Sequence, residues 1–185
     1  MEEKIYADAT GKMEKTIAAL KSDLNKVRTG RASLALLDDI RVDYYGTSTP
    51  LHQMATLSVP EPRLITIQPW DASMIGEIEK AILKSELGLT PVNDGKIIRI
   101  NIPRLTEERR KELVKVVKKM GEGAKVALRN IRREANDQLK TLEKNKKISQ
   151  DQLRHWMDKV QEATDKSIEK VDHALSAKEK EILEV

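Results

Sequence analysis

Apolar side chains recur every three or four positions through residues 3 to 28, at Ile5, Ala9, Met13, Ile17, Leu20, Leu24 and Val27. That spacing draws one stripe down a helix and predicts a first long helix ending near Gly30. The same period returns from 106 to 144, at Leu113, Val117, Met120, Ala124, Ala127, Leu128, Ile131, Ala135, Leu139 and Leu142. Thr106 stands where an N-cap belongs, and Glu107 and Glu108 suit the positive end of the helix dipole. A helix of this span is about 58 Å long at 1.5 Å per residue. After the polar turn Lys144-Asn145-Lys146-Lys147, Ser149 and Gln152 have capping-box spacing. They open a third stripe at Leu153, Met157, Val160, Thr164, Ile168, Val171, Leu175 and Ile182, on a helix expected to return antiparallel to the second.

The middle of the chain obeys a different pattern. All six prolines lie between Pro50 and Pro103, so the strongest helix breaker is confined to it. Ile40 to Tyr45 alternates, Gly46 to Pro50 reads as a turn, and Leu64 to Ile67 and Ile97 to Ile102 are β-rich runs. One short helix is predicted between the last two, capped by Asp71 or Ser73, with Ile75, Ile78, Ile82 and Leu83 facing inward and Gly88 ending it. Asn93-Asp94-Gly95 is a turn signal. A segment of this length can bury a small core of its own. The expected fold class is therefore α+β with two domains. An antiparallel three-helix bundle is built from residues 1-29 and 105-185, and a small β/α/β domain, residues 30-104, is inserted between its first two helices. The chain crosses between them twice, near Gly30-Arg31 and near Pro103-Arg104-Leu105. Two crossings predict an elongated, two-armed molecule with a hinge at the joint.

Composition narrows the chemistry. With no Phe, two Trp and three Tyr, an aromatic-walled cofactor pocket is hard to build, and the absence of Cys excludes disulfides, Cys-ligated metal and thiol nucleophiles. There is no P-loop, dinucleotide fingerprint, nucleophile elbow or zincin motif. His52, His155 and His173 have no partner at metal-binding spacing, and helix carboxylates alternate with bases, as in Glu14-Lys15 and Glu162-Lys166. These features predict no enzymatic site, no metal and no cofactor. No apolar run approaches a membrane span, and Met1-Glu2-Glu3-Lys4 does not open a signal peptide. A cytoplasmic protein with no removed leader and no membrane contact is expected.

Charge supplies the positive signal. Residues 105 to 147 carry 14 basic and 7 acidic side chains, whereas 148 to 185 carry 6 and 9. Lys111, Lys118, Lys125 and Arg132 fall one place after a core line through Val117, Ala124 and Ile131, with Arg129 and Arg133 further round. This predicts a basic stripe pointing away from the bundle. Arg129-Asn130-Ile131-Arg132-Arg133 is its densest part, and guanidinium forks suit phosphate oxygens, although charged helix faces are often only solvated surface. Little aromatic interleaving accompanies the bases, which favours folded, backbone-rich nucleic acid over single strands. Tyr44, Tyr45 and Trp70 are expected to pack within or around the insert and Trp156 beside the bundle seam. Gly121 and Gly123 either weaken the second helix or mark close packing there. Arg28 and Arg31, beside the joint, either meet a helix dipole or extend the basic surface.

Arg28-Thr29-Gly30-Arg31-Ala32-Ser33, Val42-Asp43-Tyr44-Tyr45-Gly46-Thr47 with Thr49-Pro50, Leu87-Gly88-Leu89, Leu105-Thr106-Glu107-Glu108-Arg109-Arg110-Lys111 and Arg129-Asn130-Ile131-Arg132-Arg133-Glu134-Ala135-Asn136 together resemble the bacterial ribosome recycling factors across the whole chain. Thr90 stands where that family often has Asn. The resemblance implies an L-shaped molecule similar in outline to transfer RNA. It implies a non-enzymatic role: binding the post-termination ribosome and, with elongation factor G and GTP, separating its subunits so that messenger RNA and deacylated tRNA leave. It further implies that Arg129, Arg132 and Arg133 contact large-subunit ribosomal RNA, supported by Arg28, Arg31 and Arg110. Gly30, Arg31, Ala32 and Ser33 with Pro103, Arg104, Leu105 and Thr106 would form the hinge, and a monomer is expected. The rival readings are a helical adaptor, which needs an exposed apolar stripe, and a tRNA-binding module without ribosome-splitting activity.

Overall fold

The computed structural model describes residues 1–184, which divide into two compact units: residues 1–27 with 108–184, and residues 28–107. The first unit is three helices, α1 (Glu2–Asn25), α3 (Glu107–Lys144) and α4 (Gln150–Leu183); the second contains six strands and α2 (Ile75–Lys84).

α1 buries Ala9, Met13, Ile17, Leu20 and Leu24, the predicted stripe without its two ends; Ile5 and Val27 stay half-buried. The facing stripes are Leu113, Val117, Gly121, Ala124, Leu128, Ala135 and Leu139 on α3 and Val160, Thr164, Ser167, Val171, Lys178 and Ile182 on α4. Ala9, Ala135, Leu139 and Val160 form one core cluster, with Tyr6, Ile131 and Trp156 packed against it. Thr164, fully buried, returns its hydroxyl to the Val160 carbonyl at 2.7 Å, so its own polar atom is satisfied inside the seam.

The α3–α4 turn is a Schellman motif. The Lys147 N–H donates to the Leu142 carbonyl and the Lys146 N–H to that of Glu143, both at 2.9 Å. Lys146 takes the left-handed conformation (φ 58°) usually left to glycine. The capping box follows at once: Ser149 Oγ accepts from the Gln152 N–H at 3.1 Å and Gln152 Oε1 accepts from the Ser149 N–H at 2.8 Å.

Gly121 and Gly123 play opposite parts. A Cβ on Gly121 would collide with Leu175 Cδ1 and lie 2.8 Å from its Cδ2 and 2.9 Å from its Cγ, whereas one on Gly123 would meet nothing within 4 Å. Gly121 thus marks the place where α4 presses a leucine onto the α3 backbone.

In the second unit β1 (Arg41–Tyr44) and β2 (Thr47–Pro50) form a hairpin, and β3 (Ala55–Glu61), β4 (Leu64–Pro69), β5 (Pro91–Asn93) and β6 (Ile98–Asn101) form an antiparallel sheet in the order β3-β4-β6-β5. Pairing sets Ile65 opposite Ile100 and Ile67 opposite Ile98, so all four isoleucines share one face. That face and α2, through Ile75, Ile78 and Ile82, close a core with Leu37, Ile40, Val42, Leu51 and Met54.

Several expectations need correction. Thr47 to Pro50 is a strand rather than a turn, and only Tyr45-Gly46 turns the chain. β3 and β5 went unpredicted: β3 carries a register shift between Ser58 and Glu61 that interrupts its alternation, and β5 has three residues. Leu83 is exposed because it lies beyond the arc defined by Ile75, Ile78 and Ile82. α2 stops at Lys84, before Gly88, and Asp71 caps the 3-10 turn Ala72–Met74 that leads into it. Tyr44 packs against the core, but Tyr45 and Trp70 are exposed, their polar tips bonded to Asp71 and Thr56 at 2.9 Å each. At the Asn93-Asp94-Gly95 turn, Asp94 accepts from the N–H groups of Ile97 and Lys96 at 2.9 and 3.0 Å and from Arg99 at 2.9 Å. These bonds, led by that from Ile97, hold its carboxyl far below the usual carboxylate range.

The glycine pair yields substitutions of opposite sign. A Cβ at Gly121 overpacks the seam at a cost of about 1–3 kcal/mol. This exceeds the roughly 1 kcal/mol that Ala gains over Gly within a helix. Gly121→Ala therefore lowers the thermal midpoint, while Gly123→Ala raises it. The double variant Gly121→Ala/Leu175→Ala is more stable than the sum of its single losses, because the obstructing side chain is gone. For Asp94 the sign runs with a depressed native pKa. The stability lost in Asp94→Ala is fully present above the unfolded carboxylate pKa of about 3.9 and shrinks as pH falls below it, which unfolding curves from pH 7 to 2 will measure.

Candidate nucleic-acid interface

The basic residues of α3 do not form one outward stripe. Lys125 is half-buried and its Nζ lies 2.7 Å from the Asp172 carboxylate of α4 and 3.9 Å from Glu122. Arg132, also half-buried, reaches the same way and donates from Nη1 to Gln161 Oε1 at 3.2 Å. The expected outward stripe is thus corrected: at these two positions it runs along the α3–α4 seam. The reason is geometric. A heptad falls about 20° short of two full turns of an α-helix, so positions seven apart drift steadily round it. Over the three heptads from Lys111 to Arg132 the drift is roughly 60°, enough to carry an outward line onto the neighbouring helix.

Arg129 and Arg133 lie further round, as expected. Neither forms a hydrogen bond or ion pair among the described residues; Arg133 is exposed and Arg129 half-buried. The bases of this stretch thus divide by partner. Lys125 is neutralised by a carboxylate, Arg132 is held by a neutral amide, and Arg129 and Arg133 keep their forks open. On the other flank of α3, Glu134 is engaged by Lys12 of α1 at 3.2 Å, which turns the acidic member of the Arg-Arg-Glu run away from the arginines.

Arg129, Arg132 and Arg133 therefore share one stretch of one helix. Arg110 is on the same helix, about 30 Å nearer its start at 1.5 Å per residue, half-buried, with its Nε enclosed and unpartnered. Asn136 Oδ1 is enclosed in the same way. Arg28 and Arg31 are exposed and belong to the other unit. Of the residues assigned to the hinge, Gly30 has φ 79°, the Ala32 N–H donates to the Pro62 carbonyl at 2.7 Å, and Ser33 Oγ caps the 3-10 turn Leu34–Leu37. Pro103, Arg104 and Thr106 are exposed and Leu105 is half-buried.

Sequence reasoning missed Gln161, Asp165 and Asp172. Their spacing on α4, with Asp165 four residues after Gln161 and Asp172 seven after Asp165, was visible, but nothing in it says which α3 residue each would meet. His52, His155 and His173 are exposed, and among the described residues no cluster of His, Asp or Glu is arranged to hold a metal.

A unit of three long helices, one of them rich in Arg and Lys, and a separate β-containing unit define a two-domain class of α+β protein. The family model described as ribosome recycling factor matches residues 20–183. A ribosome-recycling factor from Syntrophobacter fumaroxidans is 59% identical over 181 residues, 98% of each chain. One from Nitratidesulfovibrio vulgaris is 60% identical over 183 residues, 99% of this chain and 98% of the relative. A solution structure of the ribosome recycling factor matches with a TM-score of 0.81 and 42% identity, covering 100% of this chain and 98% of the other. A second match, at TM-score 0.68 and 45% identity over 99% of both chains, comes from models of the T. thermophilus ribosome recycling factor and E. coli elongation factor G bound to the E. coli post-termination complex. The chain belongs to the ribosome recycling factor family, the one its motifs resemble.

The division of the bases predicts their effect on folding. Lys125→Ala, which strands Asp172 beside a lost partner, lowers stability by up to about 1 kcal/mol. Arg133→Ala stays within about 0.5 kcal/mol of the unsubstituted protein. Denaturant unfolding monitored through Trp156 distinguishes them.

Proposed function

We propose that this protein recycles ribosomes: it binds the post-termination ribosome through the arginine stretch of α3 and, with elongation factor G and GTP, separates the subunits and frees messenger RNA. The observation that carries this reading is the open guanidinium charge of Arg129 and Arg133 beside Arg132, in a chain related over its whole length to recycling factors. Arg28, Arg31 and Arg110 add supporting contacts to ribosomal RNA. A phosphate backbone satisfies such forks bidentately without base recognition, and neutralising several phosphates supplies affinity through counterion release.

The role is mechanical rather than catalytic. The long helices anchor the protein, the smaller unit is the arm on which elongation factor G acts, and the two crossings at Gly30–Ser33 and Pro103–Thr106 serve as the hinge. Gly30, at φ 79°, is left-handed, and the pyrrolidine ring fixes φ at Pro103. The free energy comes from the partner's GTP. The protein works as a cytoplasmic monomer without cofactor; no described helix is long and apolar enough to cross a membrane. An adaptor role would need a continuous apolar face. On α3 the exposed aliphatics Val116 and Val126 are ten residues apart and do not line up on a helix.

Binding to purified large ribosomal subunits across a salt series tests the proposal. Affinity should fall steeply with salt, and Arg129→Ala and Arg132→Ala should each weaken binding and lower the logarithmic salt slope by roughly 0.7–0.9 per phosphate contact removed. Equal binding by both variants at every salt would return the face to plain solvated surface.

A further inference from the structure

Arg132 differs from its neighbours in how it is held. Gln161 Oε1 accepts from its Nη1 at 3.2 Å, while Gln161 Nε2 donates to Asp165 Oδ1 at 2.9 Å. A carboxylate only accepts, so Asp165 obliges the amide of Gln161 to present its NH2 to Asp165 and its oxygen to Arg132. The relay fixes the arginine with a neutral acceptor. One heptad earlier on α3, Lys125 meets Asp172 directly at 2.7 Å, an arrangement that cancels its charge. At Arg132 the negative group stands one residue further back, and the guanidinium keeps both its charge and its remaining N–H donors for a ligand.

We infer that Gln161, oriented by Asp165, is a positioning residue for ribosomal RNA binding: it pre-orders Arg132 toward a phosphate without neutralising it. The inference rests on the proposed role of the α3 arginines. An arginine carries a large rotamer entropy that a binding partner must otherwise quench, and a side chain already held in one direction saves that cost. An amide suits the task because its hydrogen bond to a cation is directional while its net charge is zero. Glutamate at the same place would hold Arg132 more tightly but leave a neutral pair with little attraction for a polyanion. The choice of Gln on α4, a helix segment otherwise rich in Glu and Asp, is thereby accounted for.

The test is a cycle of large-subunit binding measurements over a salt series with Gln161→Ala, Gln161→Glu, Arg132→Ala and Gln161→Ala/Arg132→Ala. Gln161 is exposed, so the variants should keep the thermal midpoint of the unsubstituted protein. Gln161→Ala should weaken binding roughly two- to tenfold, the ordering cost of one long side chain, with the salt slope unchanged because the phosphate contact persists. Gln161→Glu should bind more weakly than Gln161→Ala and lower the slope. In the Arg132→Ala background Gln161→Ala should have no further effect. If Arg132→Ala weakens binding but Gln161→Ala binds like the unsubstituted protein, or if the two losses simply add, the positioning role is overturned while the arginine anchor stands. If Arg132→Ala itself binds normally, the proposed function of the face falls, and this inference with it.

Discussion

The basic face depends on the register in which α4 returns along α3. Two local features set it. The turn closes through left-handed Lys146 and the Ser149–Gln152 box, which fixes where α4 begins. Some 25 residues further along α3 toward its start, Leu175 fills the space left by the missing side chain of Gly121. A slip by one helical turn would bring that leucine near Val117 or Lys125, where a Cβ already stands. With the register held, Asp172 reaches Lys125 and Gln161 reaches Arg132. The electrostatic character of the face is thus decided by an apolar contact, since a different register would give the same arginines different partners.

The three long helices and the capping box were legible because each is announced by side chains close together in sequence. So were the isoleucine strands β4 and β6, whose alternation is uninterrupted. β3 and β2 were not, because Pro50 and Pro60 and runs of Thr and Ser blur the period that marks a strand; both run along sheet edges, where proline and small polar residues are tolerated. The arginine cluster was readable by composition, but its division into neutralised, held and open members was not. That division requires the facing helix, and helical wheels drawn with a strict heptad hide the drift that turns Lys125 and Arg132 into the seam. The two glycines of α3 looked alike in sequence and differ only in what stands opposite them.

Each unit closes its own core, the isoleucine face with α2 in one and the helical seam in the other. The proposed role places a different demand on each. A rod that must hold ribosomal RNA under load gains from helices more than 30 residues long whose charged side chains are oriented before contact, because ordering them at the moment of binding would weaken the grip. An arm that must transmit a push gains from a sheet with proline-bearing edges, which resists pairing with other strands while it moves. The sparing use of carboxylates around Arg129, Arg132 and Arg133 belongs to the same logic. Glu134 is drawn off by Lys12 on the far flank and Asp165 is kept one residue behind Gln161, so the acids needed to orient and solubilise the helices are placed where they do not cancel the charge proposed to meet RNA.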